Sequence, residues 1–306
     1  MKPDLKIKNK VFDFRNPTVL PSGFFGEKFG EMQEIYDSGA GAITLKSIGP
    51  KPRKPHPNPI IVKTEFGTLN AVGLPTHGYK NMDEFWNKMK KRNFPLIASI
   101  YGTTINEFAE VAEFVAAKKP EIIELNVSCP NVEKFGMPFG CDPKIAAQIV
   151  EKVKAVTSKI PVMPKLTPQA NDITGVAKAC EQAGADAITA INSVGPGMKI
   201  NLKTKKPILS FKKGGYTGSA IKPIAVRCIY DIYESVEIPI LGIGGVSNGE
   251  DAIELMLAGA SAVGLGTVLY SRGKTCFKEI TKEIEDWMIQ NNYGKLSEIT
   301  GKSHDL

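Results

Sequence analysis

Histidine, paired cysteine and long apolar runs are all scarce in this sequence, and each shortage removes a class of function. The 306 residues contain 3 histidines, His56, His77 and His304, too widely separated to suggest a metal constellation. The 5 cysteines, Cys129, Cys141, Cys180, Cys228 and Cys276, are odd in number and include no Cys-x-x-Cys pair. That argues against a disulfide framework, a zinc site or an iron–sulfur cluster on this chain. No apolar stretch approaches the ~18 residues that would span a bilayer, and Met1-Lys-Pro-Asp-Leu-Lys6 lacks the apolar segment of a secretion signal. The expectation is a cytoplasmic protein with no membrane association. A net charge of +7 is spread over scattered lysines, with modest clusters only at 203–206 and at Lys212-Lys213. Nucleic-acid binding is therefore not expected, although a mildly positive field would steer an anionic substrate or an acidic partner.

What is present is ordinary for a soluble enzyme, with 42% hydrophobic and 23% charged residues. One pattern recurs: Gly39-Ala-Gly-Ala-Ile-Thr44, Gly184-Ala-Asp-Ala-Ile-Thr189 and Gly259-Ala-Ser-Ala-Val-Gly264 each follow a helical stretch and run into a short apolar strand. Glycine ends a helix and alanine permits close helix–sheet approach, so the repeat reads as a βα unit used several times. Eight strands are expected near Thr18–Leu20, Ala42–Leu45, Leu96–Ser99, Ile122–Leu125, Val162–Lys165, Ala187–Ala190, Ile240–Ile243 and Ala262–Leu265. Helical patterns separate most of them, among them Asn106–Lys118, Pro143–Thr157, Thr174–Ala183, Ile221–Ser235 and Gly249–Leu257. This alternation predicts an α/β fold, a (β/α)8 TIM barrel, with Leu5–Phe14 as an N-terminal β-hairpin closing its bottom. Residues 1–306 read as a single catalytic domain. The connections near Gly49–Asn81, Asn126–Asp142 and Val194–Ala220 exceed the usual length, and all three follow strand C-termini. They are expected to rise over the C-terminal face and exclude water from a site there.

The residues just past the strands form a polar ring: Ser22-Gly23, Lys46-Ser47, Ser99, Asn126, Lys165, Asn192-Ser193, Gly244-Gly245 and Gly266-Thr267. A lysine at the end of a buried strand is poorly placed without an anionic partner, and two of them suggest a bound anion or an electron-rich cofactor. Barrels bind phosphate through backbone N–H groups after strands 7 and 8, where the paired glycines fall. Gly242-Ile-Gly-Gly-Val-Ser247 lacks the third glycine and the acidic residue of a dinucleotide fingerprint, which favours a mononucleotide over NAD on this chain. The fourth strand ends in Asn126-Val-Ser-Cys129-Pro-Asn131. Pro130 stops the strand, and Cys129 falls between two carboxamides suited to a planar, imide-like ligand. A cysteine in a barrel is often a small buried hydrophobe, the reading that suits Cys180, Cys228 and Cys276 on their helical stretches. The company of Cys129 makes it the candidate catalyst.

These motifs together resemble the class 1 dihydroorotate dehydrogenases. Asn70-Ala-Val-Gly-Leu-Pro75, Glu124-Leu-Asn-Val-Ser-Cys-Pro-Asn131, Pro164-Lys-Leu-Thr-Pro168, Gly214-Gly-Tyr-Thr-Gly-Ser-Ala-Ile-Lys-Pro223 and Gly242-Ile-Gly-Gly-Val-Ser247 occur in that family's order. The resemblance implies bound FMN, with Cys129 as the base that takes a proton from C5 of dihydroorotate while hydride passes from C6 to the flavin. It implies a substrate pocket of Lys46, Asn70, Val72, Gly73, Leu74, Asn126, Asn131, Asn192 and Ser193. Lys46 would meet the substrate carboxylate and the flavin, and Lys165 the flavin N1/O2 edge. Gly218, Gly244, Gly245, Gly266 and Thr267 would hold ribityl and phosphate, with Ser22, Gly23, Ser47, Ser99, Asn126 and Ile191 completing the cofactor contacts. The membrane-linked class 2 has serine at the catalytic position and an N-terminal extension not seen here.

The stretches from Asn131 to Pro143 and from Pro196 to Pro207 look like class 1B, whose catalytic subunit works with an iron–sulfur FAD subunit that passes electrons to NAD. Such an assembly implies a homodimer or heterotetramer. Asn192-Ser-Val departs from the Asn-Thr-Leu common in that class, and Cys141 stands where threonine is common. The rival enzyme is the pyrimidine-reducing module of dihydropyrimidine dehydrogenase, which acts on uracil and has no use for a carboxylate-binding lysine. Lys46 and the Leu202-Lys-Thr-Lys segment favour dihydroorotate over it. A Schiff-base aldolase would leave Cys129 idle, and a non-catalytic flavin-binding subunit remains the alternative from another functional class.

Overall fold

The structure is a computed structural model that describes residues 2–128 and 139–305. Eight short apolar runs become parallel strands: β1 Thr18–Leu20, β2 Ala42–Thr44, β3 Leu96–Ile100, β4 Ile122–Asn126, β5 Val162–Leu166, β6 Ile188–Ala190, β7 Ile240–Ile243 and β8 Ala260–Gly264. They close into one barrel in sequence order, β8 pairing with β1. Their residues are almost all fully buried, because one face fills the barrel and the other meets the helices. The expected boundaries hold to within a residue or two, β8 beginning earlier, at Ala260, and β3 running on to Ile100.

The helices α1 Phe29–Asp37, α2 Asp83–Met89, α3 Ile105–Ala116, α4 Pro143–Thr157, α5 Ile173–Gln182, α6 Lys222–Tyr233, α7 Gly249–Leu257 and α8 Cys276–Gln290 follow the strands in turn. Four of them start on a side-chain cap. Asp142 accepts from the Lys144 and Ile145 N–H groups with Pro143 in the first turn, and Asp172, Thr104 and Asn248 cap α5, α3 and α7 in the same way. The repeated glycines take the positive φ that ends a helix, 113° at Gly39, 95° at Gly184 and 123° at Gly259. Gly259 also has no room for a side chain, since a Cβ would lie 2.3 Å from the Tyr233 ring.

At the bottom, Ile7–Lys8 and Asp13–Phe14 form the expected hairpin, and Phe12 stacks on Phe14 with ring centroids 5.2 Å apart, both rings in the core. Two of the three long connections over the opposite end, those after β2 and β6, hold more regular structure than their turn-rich sequence suggests, and most of the third, 126–142, lies outside the described residues. Ile61–Lys63 and Thr68–Asn70 from the β2 connection join Gly214–Thr217 and Val194–Gly197 from the β6 connection in a four-stranded antiparallel sheet. Thr64 Oγ1 donates to Tyr216 Oη at 3.0 Å across this sheet. A separate hairpin, Ile200–Asn201 with Lys206–Pro207, carries Leu202 at its exposed tip.

Candidate active site

Alternation within a barrel strand sends every second side chain inward, so the inward residues at the C-terminal ends of β2, β3, β4 and β6 converge on one mouth. They meet there as one polar chain. Ser47 Oγ lies 3.3 Å from Ser22 Oγ and 2.9 Å from Ser99 Oγ, and Asn126 Nδ2 donates to Ser47 Oγ at 3.3 Å. Asn192 Nδ2 donates to Asn126 Oδ1 at 3.4 Å, and the Ser193 N–H donates to Asn192 Oδ1 at 2.8 Å. Both carboxamides are thereby fixed in orientation. Asn126 Oδ1 also accepts from the Ser128 N–H, and Ser128 Oγ donates to the Lys165 carbonyl, which ties the last described turn after β4 to β5.

The roof sheet connects to this chain through a glycine. A Cβ at Gly215 would fall 2.2 Å from Ser193 Oγ, and Asn70 Nδ2 donates to the Gly215 carbonyl at 3.2 Å. Asn70, from the connection after β2, is thus brought near Ser193, just past the end of β6. The sequence reading passed over Gly215, whose signal is a paired glycine opposite a small hydroxyl. Beyond Asn70, the Val72 carbonyl accepts from the His56 N–H at 3.1 Å, Gly73 has φ 87° against the His56 ring, and the Leu74 carbonyl accepts from Tyr101 Oη at 3.2 Å. The turn that carries Val72, Gly73 and Leu74 is therefore pinned to the β2 connection on one side and to the end of β3 on the other.

The two lysines differ. Lys46 finds an anionic partner on the chain itself, its Nζ donating to Glu27 Oε1 at 2.6 Å with the side chain still a quarter exposed. Lys165 is 6% exposed and forms no ion pair with the described residues. The Leu202-Lys-Thr-Lys segment lies on the exposed outer hairpin, where no described contact ties it to the mouth.

On the other side of the mouth are the glycines after β6, β7 and β8. Gly244 and Gly245 take φ of 147° and 80°, and Gly218 takes 113°. All three are tightly packed, with no room for a side chain: a Cβ would lie 2.5 Å from Ala225 Cβ, 2.6 Å from Lys222 Cβ and 2.5 Å from Gly67 Cα respectively. At Gly23, with φ 103°, a Cβ would meet nothing within 4 Å, so the backbone opens on free space. Gly266 packs under Phe24, and Ile191 is buried with its N–H donating to the Ile243 carbonyl at 2.9 Å. The turn from Gly244 to Gly249 is braced from behind. Asp251 accepts from the Ser247 N–H at 2.8 Å and from Lys222 Nζ at 2.6 Å, Glu283 accepts from the Gly249 N–H at 2.6 Å, and Arg272 donates to the Ser247 carbonyl at 3.1 Å and to Glu283. Arg272 ends the short helix Leu269–Arg272 that follows Gly266-Thr267. One guanidinium therefore joins the turns after β7 and β8, a link the sequence reading did not find.

Cys129 and Asn131 lie outside the described residues. The other thiols are poor candidates for chemistry. Burial pushes Cys180 up to about 12 and Cys276 up to about 11, and raises Cys228 and Cys141 as well. Among the described residues no helix is long and apolar enough to cross a membrane.

The profile of the family described as dihydroorotate dehydrogenase matches residues 4–288. The chain is 42% identical to the protein named dihydroorotate dehydrogenase B (NAD(+)), catalytic subunit, of Methanosarcina mazei, over 95% of this chain and 93% of that one. Proteins of the same name from Methanothermobacter thermautotrophicus and Pyrococcus horikoshii are each 42% identical, covering 96% and 98% of this chain and equal shares of their own. The expected resemblance is borne out along nearly the whole length, and this chain belongs to the dihydroorotate dehydrogenase family.

Proposed function

We propose that this chain oxidises dihydroorotate to orotate in pyrimidine biosynthesis, as the flavin-bearing catalytic subunit of a class 1B enzyme, with residues 1–306 acting as one catalytic domain. The observation that carries the reading is the oriented chain Ser47–Asn126–Asn192–Ser193, reached by Asn70 from the roof, across the mouth of the barrel. Carboxamides offer a donor and an acceptor in one plane, which matches the imide edge of a dihydropyrimidine.

The flavin is FMN in this reading. The residues fit it: the backbone opens on free space at Gly23, the tightly packed glycines at Gly218, Gly244 and Gly245 present main chain rather than side chains, and Lys165 supplies a buried amino group. Gly244, Gly245, Gly266 and Thr267 would hold the phosphate and Gly218 the ribityl chain, with Ser22, Ser47, Ser99, Asn126 and Ile191 around the ring system. When bound, the flavin supplies the hydride acceptor. Cys129 acts as the base at C5 of the substrate, and Asn70, Asn126, Asn131, Asn192 and Ser193 orient the ring with the turn at Val72, Gly73 and Leu74 beside it. Lys46 binds the carboxylate, exchanging Glu27 for a substrate anion. A lysine at the flavin N1 edge stabilises negative charge as it develops there.

A cytoplasmic enzyme of this kind needs an electron outlet, and the relatives' designation as NAD(+) catalytic subunits supports a separate partner subunit; in this reading the partner is an iron–sulfur FAD protein and the assembly a homodimer or heterotetramer. The test is substrate choice with an artificial dye as acceptor. Dihydroorotate should be turned over and dihydrouracil should be left essentially untouched. Preference for dihydrouracil would transfer the chain to the uracil-reducing class.

A further inference from the structure

One buried carboxylate at this mouth is used by no step above. Glu124 sits on β4 two residues before Asn126, hence on the same inward face, and it is fully buried. Its Oε2 accepts from Thr189 Oγ1 at 3.1 Å, while its Oε1 has no partner among the described residues. Thr189 is on β6, so the carboxylate reaches from β4 past the inner face of β5 to the second strand over. Strand register says what it passes. Lys165 on β5 is level with Asn126 on one side and with Thr189 on the other, which puts the Glu124 carboxylate under the root of the Lys165 side chain. Lys165 is itself buried and lacks an ion-pair partner among the described residues. Two sparsely partnered groups of opposite type thus lie in successive inward layers at the buried top of the barrel, where charges act on each other strongly and screening by water is weak.

We propose that Glu124 is a positioning and charge-balancing residue that, through Lys165, sets how strongly the site favours negative charge on the bound flavin. This rests on the reading of Lys165 as neighbour of the flavin N1/O2 edge. A fully uncompensated ammonium there would bind the reduced, negatively charged ring very tightly and slow its reoxidation by the next carrier. A carboxylate one layer below offsets part of that field without pairing with the lysine directly. Thr189 keeps the carboxylate from swinging up to the substrate.

Sulfite provides a readout independent of turnover. Its lone pair forms a bond to flavin N5, the ring takes up the electron pair, and the negative charge that settles at N1/O2 is stabilised by nearby cations. Sulfite affinity of the flavin-loaded protein should therefore tighten by roughly three- to tenfold in Glu124→Gln, which removes the charge and can still accept from Thr189. Glu124→Met, apolar and similar in volume, should shift it in the same direction. Lys165→Gln should weaken sulfite binding, and in that background Glu124→Gln should have little further effect. An unchanged affinity in Glu124→Gln, an equal change with and without Lys165, or loss of flavin from both Glu124 variants would overturn the proposal. No response to Lys165→Gln itself would instead remove the underlying placement of Lys165 beside the flavin.

Discussion

At the scale of single residues, the proposed chemistry falls on one thiol, Cys129, and on one half-buried lysine, Lys46. Cys129→Ala should keep flavin and orotate binding and lose turnover by about 10² to 10⁴, the usual worth of a general base. Near-normal rates in that variant at neutral pH would mean that the base lies elsewhere. The same argument separates the thiols by reactivity. Since burial raises Cys180 and Cys276 to about 12 and 11, both stay neutral at pH 8 and should resist iodoacetamide. Inactivation should track modification at Cys129, read by peptide mass, and should slow when orotate is present. Lys46→Met should weaken orotate much more than uracil, which lacks the carboxylate; equal weakening in a titration of both ligands would confine the lysine to a flavin role. Cys129 stands out in the sequence because proline, thiol and carboxamide fall within six residues, and of the asparagines the structure brings Asn70, Asn126 and Asn192 to one mouth. Glu124 does not stand out. In Ile122-Ile-Glu-Leu125 it looks like the polar face of a half-exposed strand, but a closed barrel buries both faces and turns that residue into the core.

At the scale of elements, glycine and caps made the barrel readable. Gly39, Gly184 and Gly259 end helices with positive φ wherever the repeat occurs, and the strands behind them carry buried residues on both faces. The roof was read only as long connections, because its strands are three or four residues long, rich in glycine and paired across two segments distant in sequence. Such pairings leave no local period. The brace behind the glycine turns was equally invisible, since Arg272 meets Ser247 and Glu283 only through the fold. Its function can be separated from mere stability. Arg272→Gln removes a charge-assisted link between the turns after β7 and β8, so FMN affinity should fall roughly tenfold. Riboflavin, which has no phosphate, should bind the variant as it binds the parent. Equal losses for the two flavins, measured by quenching of flavin fluorescence, would show that the brace does not act through phosphate.

At the scale of the whole molecule, the proposed site takes one mononucleotide and one small ring, and the electrons must then leave. The 5 cysteines include no cluster spacing and the chain has no dinucleotide fingerprint. Alone, the chain should reduce artificial dyes with dihydroorotate and fail to reduce NAD; addition of an iron–sulfur flavoprotein partner should restore NAD reduction, with a rate that falls as salt screens the positively charged surface. Efficient NAD reduction by the highly purified chain would refute the class 1B reading, and fumarate reduction would point to class 1A behaviour. The central claim is tested most directly by anaerobic titration of the purified, flavin-loaded protein with dihydroorotate. The visible flavin absorption should bleach in proportion to substrate added, with one orotate formed per flavin bleached. A yellow protein that keeps its absorption under excess dihydroorotate, or that bleaches without forming orotate, would contradict the account.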